Sequence, residues 1–460
     1  MTLPEGFVRR MQTLLGDDYP AFIAGYDRPV ERGLRVNTLK LSAAAFADAF
    51  PLPLTPTPFS PVGFTVEGEL KAGADPWHHA GAFYMQEPSA MSAVTVLDPR
   101  PGERILDLCA APGGKSTQIA ARQQGRGLLW SNEYIRARAS ALVQNLERCG
   151  VAHGVVSHMD TAPLCDKLCG QFDGVLADVP CSGEGMFRKE EAALAMWSEE
   201  NIALCAERGA HILYAAAKAV RPGGRLVYST CTFAPEENEC QIARFLLTHP
   251  DFSLHPIETA WGRPACSPAQ VAPFAPELDM GGLPLHFARR IFPADGGEGH
   301  FIALLVRDGE GTVPPAPLSG GKPDKNAAAC EALLRDCFTE VPAGRFVTVG
   351  DTVRLLPADL PDTKGLYLVA AGVAAATVCR DRLEPCHGIF LSRRPEQCRR
   401  VLELTREDPR TAAFLRGEAV DAPGLVGWTA VAVDGVVAGF GKASGGVLKN
   451  RYPKALRLRG

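Results

Sequence analysis

Two cysteines end short apolar runs and sit among polar turn residues, Cys181 in Asp178-Val179-Pro180-Cys181-Ser182-Gly183 and Cys231 in Tyr228-Ser229-Thr230-Cys231-Thr232. A thiol held in a loop at a strand end, rather than packed inside an apolar run, is available as a nucleophile. A third run, Arg104-Ile105-Leu106-Asp107-Leu108, breaks into Cys109-Ala110-Ala111-Pro112-Gly113-Gly114-Lys115-Ser116, a strand-to-helix turn of the kind that holds a nucleotide-like cofactor. Two loop thiols and a cofactor loop are the inventory for covalent catalysis with group transfer.

These residues need a frame that brings them together. Strand patterns fall at 104–108, 127–132, 154–158, 173–178, 225–229 and 300–306, and helical patterns near 116–124, 135–149 and 199–220. The alternation over residues 93–307 predicts an α/β fold with a mostly parallel, doubly wound sheet. In such a sheet ligands bind outside the carboxyl ends of the strands, and Asp107, Glu133, Asp160, Asp178 and Cys231 all fall at such ends. Gly113-Gly114 lets backbone approach a ligand, and the amides of the helix that follows favour a carboxylate. Glu133 is placed to accept hydrogen bonds from ribose hydroxyls, and Asp160 is expected near an adenine amino group. Competing roles exist for both as caps or solvated charges.

A Walker-type phosphate loop requires a glycine five residues before Gly114, where Cys109 stands, and no G-x-G-x-x-G follows the strand. The implied ligand is a nucleoside with a carboxylate-bearing tail and no required phosphate, which describes S-adenosyl-L-methionine. No metal is expected, because the fourteen cysteines form neither C-x-x-C pairs nor Cys/His clusters and fit reduced thiols better than a zinc site or a disulfide framework. Outside the three motifs, cysteines such as Cys149, Cys205 and Cys240 are expected to be small buried hydrophobes.

The 460 residues suffice for two to four domains. Residues 1–92 suggest a small α/β accessory domain, 308–326 a Pro/Gly-rich linker, 327–375 a small C-terminal domain and 376–460 a further α+β domain. A hydrophobic share of 46%, a charged share of 22% and a mean hydropathy of −0.02 describe a globular chain with no apolar run of membrane-spanning length. A cytoplasmic location and a monomeric state are expected. The formal net charge of −4 gives no general attraction to nucleic acid, so such a partner must be met by local patches. The run from Gly439 to Gly460 is one, with Lys442, Lys449, Arg451, Lys454, Arg457 and Arg459, no acid, and the interleaved aromatics Phe440 and Tyr452. Arg28, Arg32 and Arg35 are a second candidate set for RNA phosphates.

The segments 107–116, 178–185 and 228–239 resemble the motifs of the Sun/nucleolar-protein family of RNA (cytosine-5) methyltransferases, as do Tyr84-Met85-Gln86-Glu87-Pro88-Ser89 and Gly299-His300-Phe301. Gly439-Phe440-Gly441-Lys442 and Lys449 to Lys454 are similar to the extra, PUA-like RNA-binding domain of the family's bacterial RsmF group, which acts on small-subunit (16S) ribosomal RNA. The resemblance implies a Rossmann-like methyltransferase core binding S-adenosyl-L-methionine through Cys109, Ala110, Ala111, Pro112, Gly113, Gly114, Lys115, Glu133, Asp160 and Asp178. It implies Cys231 as nucleophile, Cys181 as the product-releasing thiol, and ribosomal RNA or the 30S subunit as partner, with no membrane. A transfer-RNA substrate, or a ribosome-assembly role in which RNA binding outweighs catalysis, are the alternatives.

Cytosine C5 is too poor a nucleophile to take a methyl group directly, so a thiolate that first adds to C6 raises the electron density at C5. The C5 proton must then leave and the thiolate be expelled, a step for which a second group is useful. Asp178 is a candidate partner for the cytosine N4 or N3 edge. DNA cytosine-5 methyltransferases attack from a Pro-Cys turn, which would favour Cys181, whereas Tyr-Ser-Thr-Cys at 228–231 has no place in their pattern. An ordinary thiol is mostly protonated at neutral pH, so Cys231 needs positive charge nearby. Lys189, Arg188 and the cofactor's sulfonium are the candidates.

Overall fold

The structure, a computed structural model, describes residues 2–312, 324–380 and 382–458, so residues 313–323 of the expected linker, and Arg459 of the basic run, lie outside the described residues. The catalytic sheet is built from β1 (Arg104–Asp107), β2 (Leu128–Asn132), β3 (Gly154–Ser157), β4 (Phe172–Asp178), β5 (Val220–Thr230) and β6 (His300–Arg307). A seventh strand, β7 (Leu368–Ala371), arrives from the C-terminal half. The strands lie side by side in the order β7-β3-β2-β1-β4-β5-β6, and Arg289–Ile291 and Arg263–Pro264 continue beyond β6. From β3 to β5 the pairings are parallel, and β6 runs antiparallel to β5. The expected doubly wound, mostly parallel sheet is present, with antiparallel strands at both edges.

Helices cover both faces, which is why the central strands read as unbroken apolar runs. All of Arg104–Asp107 and Leu128–Asn132 is buried. Each Ile or Leu in these runs, such as Ile105 and Leu106 at 0% exposure, contributes about 1.5–3 kcal/mol by leaving water. The helices that position the site are α1 (Gly114–Arg122), α2 (Arg136–Arg148), α3 (Thr161–Lys167), α4 (Glu199–Ala219) and α5 (Glu239–Thr248). α1 begins where it does because Gly113 has φ +114°, a backbone shape that side-chain-bearing residues rarely adopt.

The flanking regions are less separate than the sequence suggests. The helix Glu5–Leu15 buries Phe7, Met11 and Leu14 in the catalytic core, where Phe7 meets Phe187 edge-on at 5.2 Å. Only residues 33–85 form the expected small sheet, ordered Leu54–Pro56, Gly63–Val66, Gly33–Val36, Phe83–Met85. Its apolar face is shared with Val433, Val436 and Ala438 of the C-terminal domain. The expected boundary between 375 and 376 cuts the strand Val373–Cys379, which pairs with both Thr352–Leu356 and Arg382–Pro385, so the middle sheet extends to Pro385. The C-terminal sheet then runs Val401–Leu404, Gly427–Val433, Val436–Ser444, Val447–Asn450, Val420–Asp421 in spatial order.

Candidate active site

The loops after β4 and β5 bring Cys181 and Cys231 together, with their Sγ atoms 3.3 Å apart and the Cys231 amide donating to Cys181 Sγ at 3.3 Å. Both are half-buried, whereas Cys149, Cys205 and Cys240 are buried as expected. The close approach requires Gly185, where a Cβ would stand 2.9 Å from the carbonyl oxygens of both Cys231 and Gly299. The hydrogen bond with Cys231 and burial both raise the Cys181 thiol well above its ordinary value. Cys181 therefore keeps its proton while Cys231 lies beside it.

Asp178, at the end of β4, is ion-paired with Lys115 Nζ at 2.7 Å and accepts from Ser229 Oγ at 2.7 Å. His300 Nε2 lies 3.9 Å from the same carboxylate, too far for a direct hydrogen bond. Burial alone would raise the Asp178 carboxyl, but the Lys115 ammonium, with His300 behind it, outweighs burial and holds it well below the usual carboxylate range. Burial likewise opposes the Lys115 charge, and Asp178 outweighs it, so Lys115 stays protonated. Lys115 is also the cation whose field couples to Cys231. Of the positive charges expected near Cys231, Arg188 and Lys189 pair instead with Glu298 at 3.4 and 3.9 Å.

Two carboxylates bind the thiol loops to one another. Glu237, beyond Cys231, accepts from the Ser182 amide at 2.9 Å and from the Ser182 hydroxyl. Glu184, beyond Cys181, accepts from Thr232 Oγ1 and the Phe233 amide, both at 3.0 Å. Burial pushes Glu237 up to about 8 and raises Glu184 as well. Both acids fall inside the motif segments 178–185 and 228–239, but nothing in the adjoining residues gives either of them a role. Their partners lie about fifty residues away, which no local pattern reveals.

The residues 109–115 wrap the start of α1, and α2 holds their carbonyls. Arg138 donates to Ala111 O and Asn145 to Pro112 O, each at 2.9 Å, while Ala110 N donates to Asn132 O at 2.9 Å. At the root of this loop Asp107 is fully buried and pushed up to about 7 by burial, while Ser116 donates to one of its oxygens at 2.6 Å. Cys109 is raised well above the ordinary thiol value by burial and does not compete as a nucleophile. Glu133, ending β2, accepts from the Ile135 amide at 2.9 Å and lies 3.4 Å from Arg138. A carboxylate beside an open-backbone loop fits the hydroxyls and tail of a nucleoside cofactor. Asp160 is exposed and accepts from Ala162 N at 2.9 Å, capping α3, so the capping role applies to it.

Some candidate RNA contacts are corrected. Arg35 is 1% exposed and donates to Thr117 Oγ1 at 2.7 Å and to the Gly114 carbonyl, so it fixes the start of α1 instead of meeting phosphate. Arg28 and Arg32 are exposed. Phe440 stacks on Phe390 at 4.5 Å and the Tyr452 hydroxyl meets His79 Nδ1 at 2.7 Å, both in the buried interior. These aromatics are core residues and offer no stacking platform. Lys442, Lys449, Arg451 and Lys454 do remain exposed.

A doubly wound sheet with a nucleoside-type loop at β1 and paired thiols at neighbouring strand ends defines a Rossmann-like methyltransferase core. Residues 94–306 match the family model of the 16S rRNA methyltransferase RsmB/F, residues 3–88 the N-terminal domain of 16S rRNA methyltransferase RsmF, and residues 401–458 the methyltransferase RsmF PUA domain. The ribosomal RNA small subunit methyltransferase F of Aeromonas hydrophila is 33% identical over 99% of this chain and 97% of its own. That of Erwinia tasmaniensis is 37% identical over 70% of this chain and 66% of its own. The chain belongs to the RsmF family of 16S rRNA methyltransferases. Among solved structures, a methyltransferase homologue from Pyrococcus horikoshii has 29% identity and a TM-score of 0.58, covering 66% of this chain and 95% of that one.

Proposed function

We propose that the protein transfers a methyl group from S-adenosyl-L-methionine to C5 of a cytosine in 16S rRNA, with Cys231 adding to C6. The observation that carries this is the thiol pair 3.3 Å apart beside the Lys115–Asp178 ion pair. Glu133 and the loop from Cys109 to Lys115 would hold the cofactor, which when bound supplies an electrophilic methyl group. Asp160, at the neighbouring strand end, belongs to the same proposed pocket.

The Cys231 sulfur lone pair forms the bond to C6 while Asp178 faces the polar edge of the base. C5, now electron-rich, takes the methyl group. The largest cause holding the proton on Cys181 is its hydrogen bond with Cys231. Once Cys231 is tied up as a thioether, that hydrogen bond is gone, and in the proposed cycle Cys181, still opposed by burial, loses its proton to solvent water. Its thiolate accepts the C5 proton, the C5–H electrons restore the C5–C6 double bond, and the C6–S bond breaks to return the Cys231 thiolate. The base must leave its stack to reach such a site, which suits an enzyme with RNA-binding domains before and after the core in sequence.

The test uses the two thiols separately. Cys231→Ala should abolish turnover and form no covalent RNA complex. Cys181→Ala should attack and methylate, then accumulate a protein–RNA conjugate that survives denaturing electrophoresis, and the double variant should lose it. A conjugate in Cys231→Ala and none in Cys181→Ala reverses the assignment. Bisulfite mapping of 16S rRNA from cells with and without the gene tests the C5 product.

A further inference from the structure

We propose that Tyr367, carried in by the region between the catalytic sheet and the C-terminal domain, forms a wall of the cofactor site at its adenine end. This rests on the reading that the site takes S-adenosyl-L-methionine. Among the described residues only two aromatic side chains belong to the largely exposed apolar group, Tyr134 at 67% and Tyr367 at 73%. They come from distant parts of the sequence and stand at one end of one sheet. Tyr134 follows Glu133 at the end of β2. Tyr367 precedes β7, which runs antiparallel to β3 with Leu368 opposite Ser157.

Hydrogen bonds fix this placement. The His158 amide donates to Tyr367 O at 2.9 Å, and His158 Nδ1 lies 3.2 Å from Glu133 O. His158 thus joins the backbone of Tyr367 to that of the proposed ribose-binding acid. The Tyr367 backbone is further anchored because Leu366 and Leu368 pack against the catalytic core, and Asp362 is ion-paired with Lys167 of α3 at 3.0 Å. A ring presented to water from an anchored backbone offers a face on which a planar base can stack without ordering a loose segment. Asp160, the residue expected at the adenine, also caps the first turn of α3.

The experiment is calorimetric titration of the full chain with S-adenosylhomocysteine. Tyr367→Ala should weaken binding by about tenfold, the loss expected for one base–aromatic stack, and Tyr367→Phe should stay within about twofold of wild type. In Tyr367→Trp the added indole should give a fluorescence change on titration beyond that of the wild-type chain. Wild-type affinity in Tyr367→Ala, or an added indole indifferent to the ligand, overturns the proposal while leaving the cofactor reading intact. A wild-type chain that binds no S-adenosylhomocysteine overturns both.

Discussion

Glu184 and Glu237 do more for the thiols than either neighbour in sequence. Each belongs to one thiol loop and bonds the other, so the loops cannot separate without leaving a buried carboxyl unpaired, a loss on the order of 1–3 kcal/mol. Their burial also leaves a signature in the pH dependence of stability. Glu237 moves from 4.5 to about 8 and Asp107 from 3.8 to about 7 on folding, burial being the first cause of each. The folded chain then keeps protons that the unfolded chain releases above pH 4 to 5. The contribution of these two acids is fully present below that range and is lost as pH rises toward 8, by about 1.4 kcal/mol per pH unit for each proton retained. His78, His153 and His387, which burial keeps neutral, give an opposite slope below about pH 6.5. Asp178, shifted downward, adds no slope between pH 5 and 8, because it is ionised in both states there. Glu237→Gln should therefore shift the slope of urea-unfolding free energy against pH between 5 and 8 in the positive direction relative to wild type, and an unchanged slope would count against the neutral acid.

The thiols and the cofactor loop were legible because each breaks an apolar strand with Pro, Gly or Ser, and α/β sheets collect such breaks at one edge. What was not legible depends on pairing across the chain. Arg35 resembles a basic surface residue, yet its guanidinium ends at α1, and Phe440 and Tyr452 resemble an RNA platform until the sheets that cover them are known. The pair Arg290–Glu239 was equally invisible. It fixes the first residue of α5 to the strand Arg289–Ile291 with exposures of 1% and 0%, and Arg290 also donates to Phe233 O at 2.8 Å, just beyond Cys231. Removing one partner leaves an uncompensated buried charge, so Arg290→Met should cost about 3–5 kcal/mol. Arg290→Met with Glu239→Leu should recover much of that loss. Chemical denaturation of the three variants checks this, and a double variant less stable than the single one would contradict it.

The separate domains suggested by composition share interiors. The N-terminal sheet closes its core with Val433, Val436 and Ala438, and Trp77 donates to Val433 O at 2.9 Å. The middle sheet shares its core with Trp428, Val437 and Phe440. Removing residues 376–460 would strip both cores and test folding rather than RNA binding. Single charges provide the sharper test, since Lys449 and Lys454 are exposed and form no ion pair among the described residues. If they meet phosphates of the RNA, each phosphate left without its lysine should lower the slope of log affinity against log salt by about 0.7–0.9. Lys449→Ala with Lys454→Ala should then weaken binding to 16S rRNA most at low salt, where the wild-type attraction is strongest, and leave S-adenosylhomocysteine affinity unchanged. Arg28→Ala should act in the same direction, whereas Arg35→Ala should disturb α1 and cofactor affinity instead. Filter binding across a salt series separates the two patterns, and an unchanged slope in the double lysine variant would remove this surface from the RNA interface.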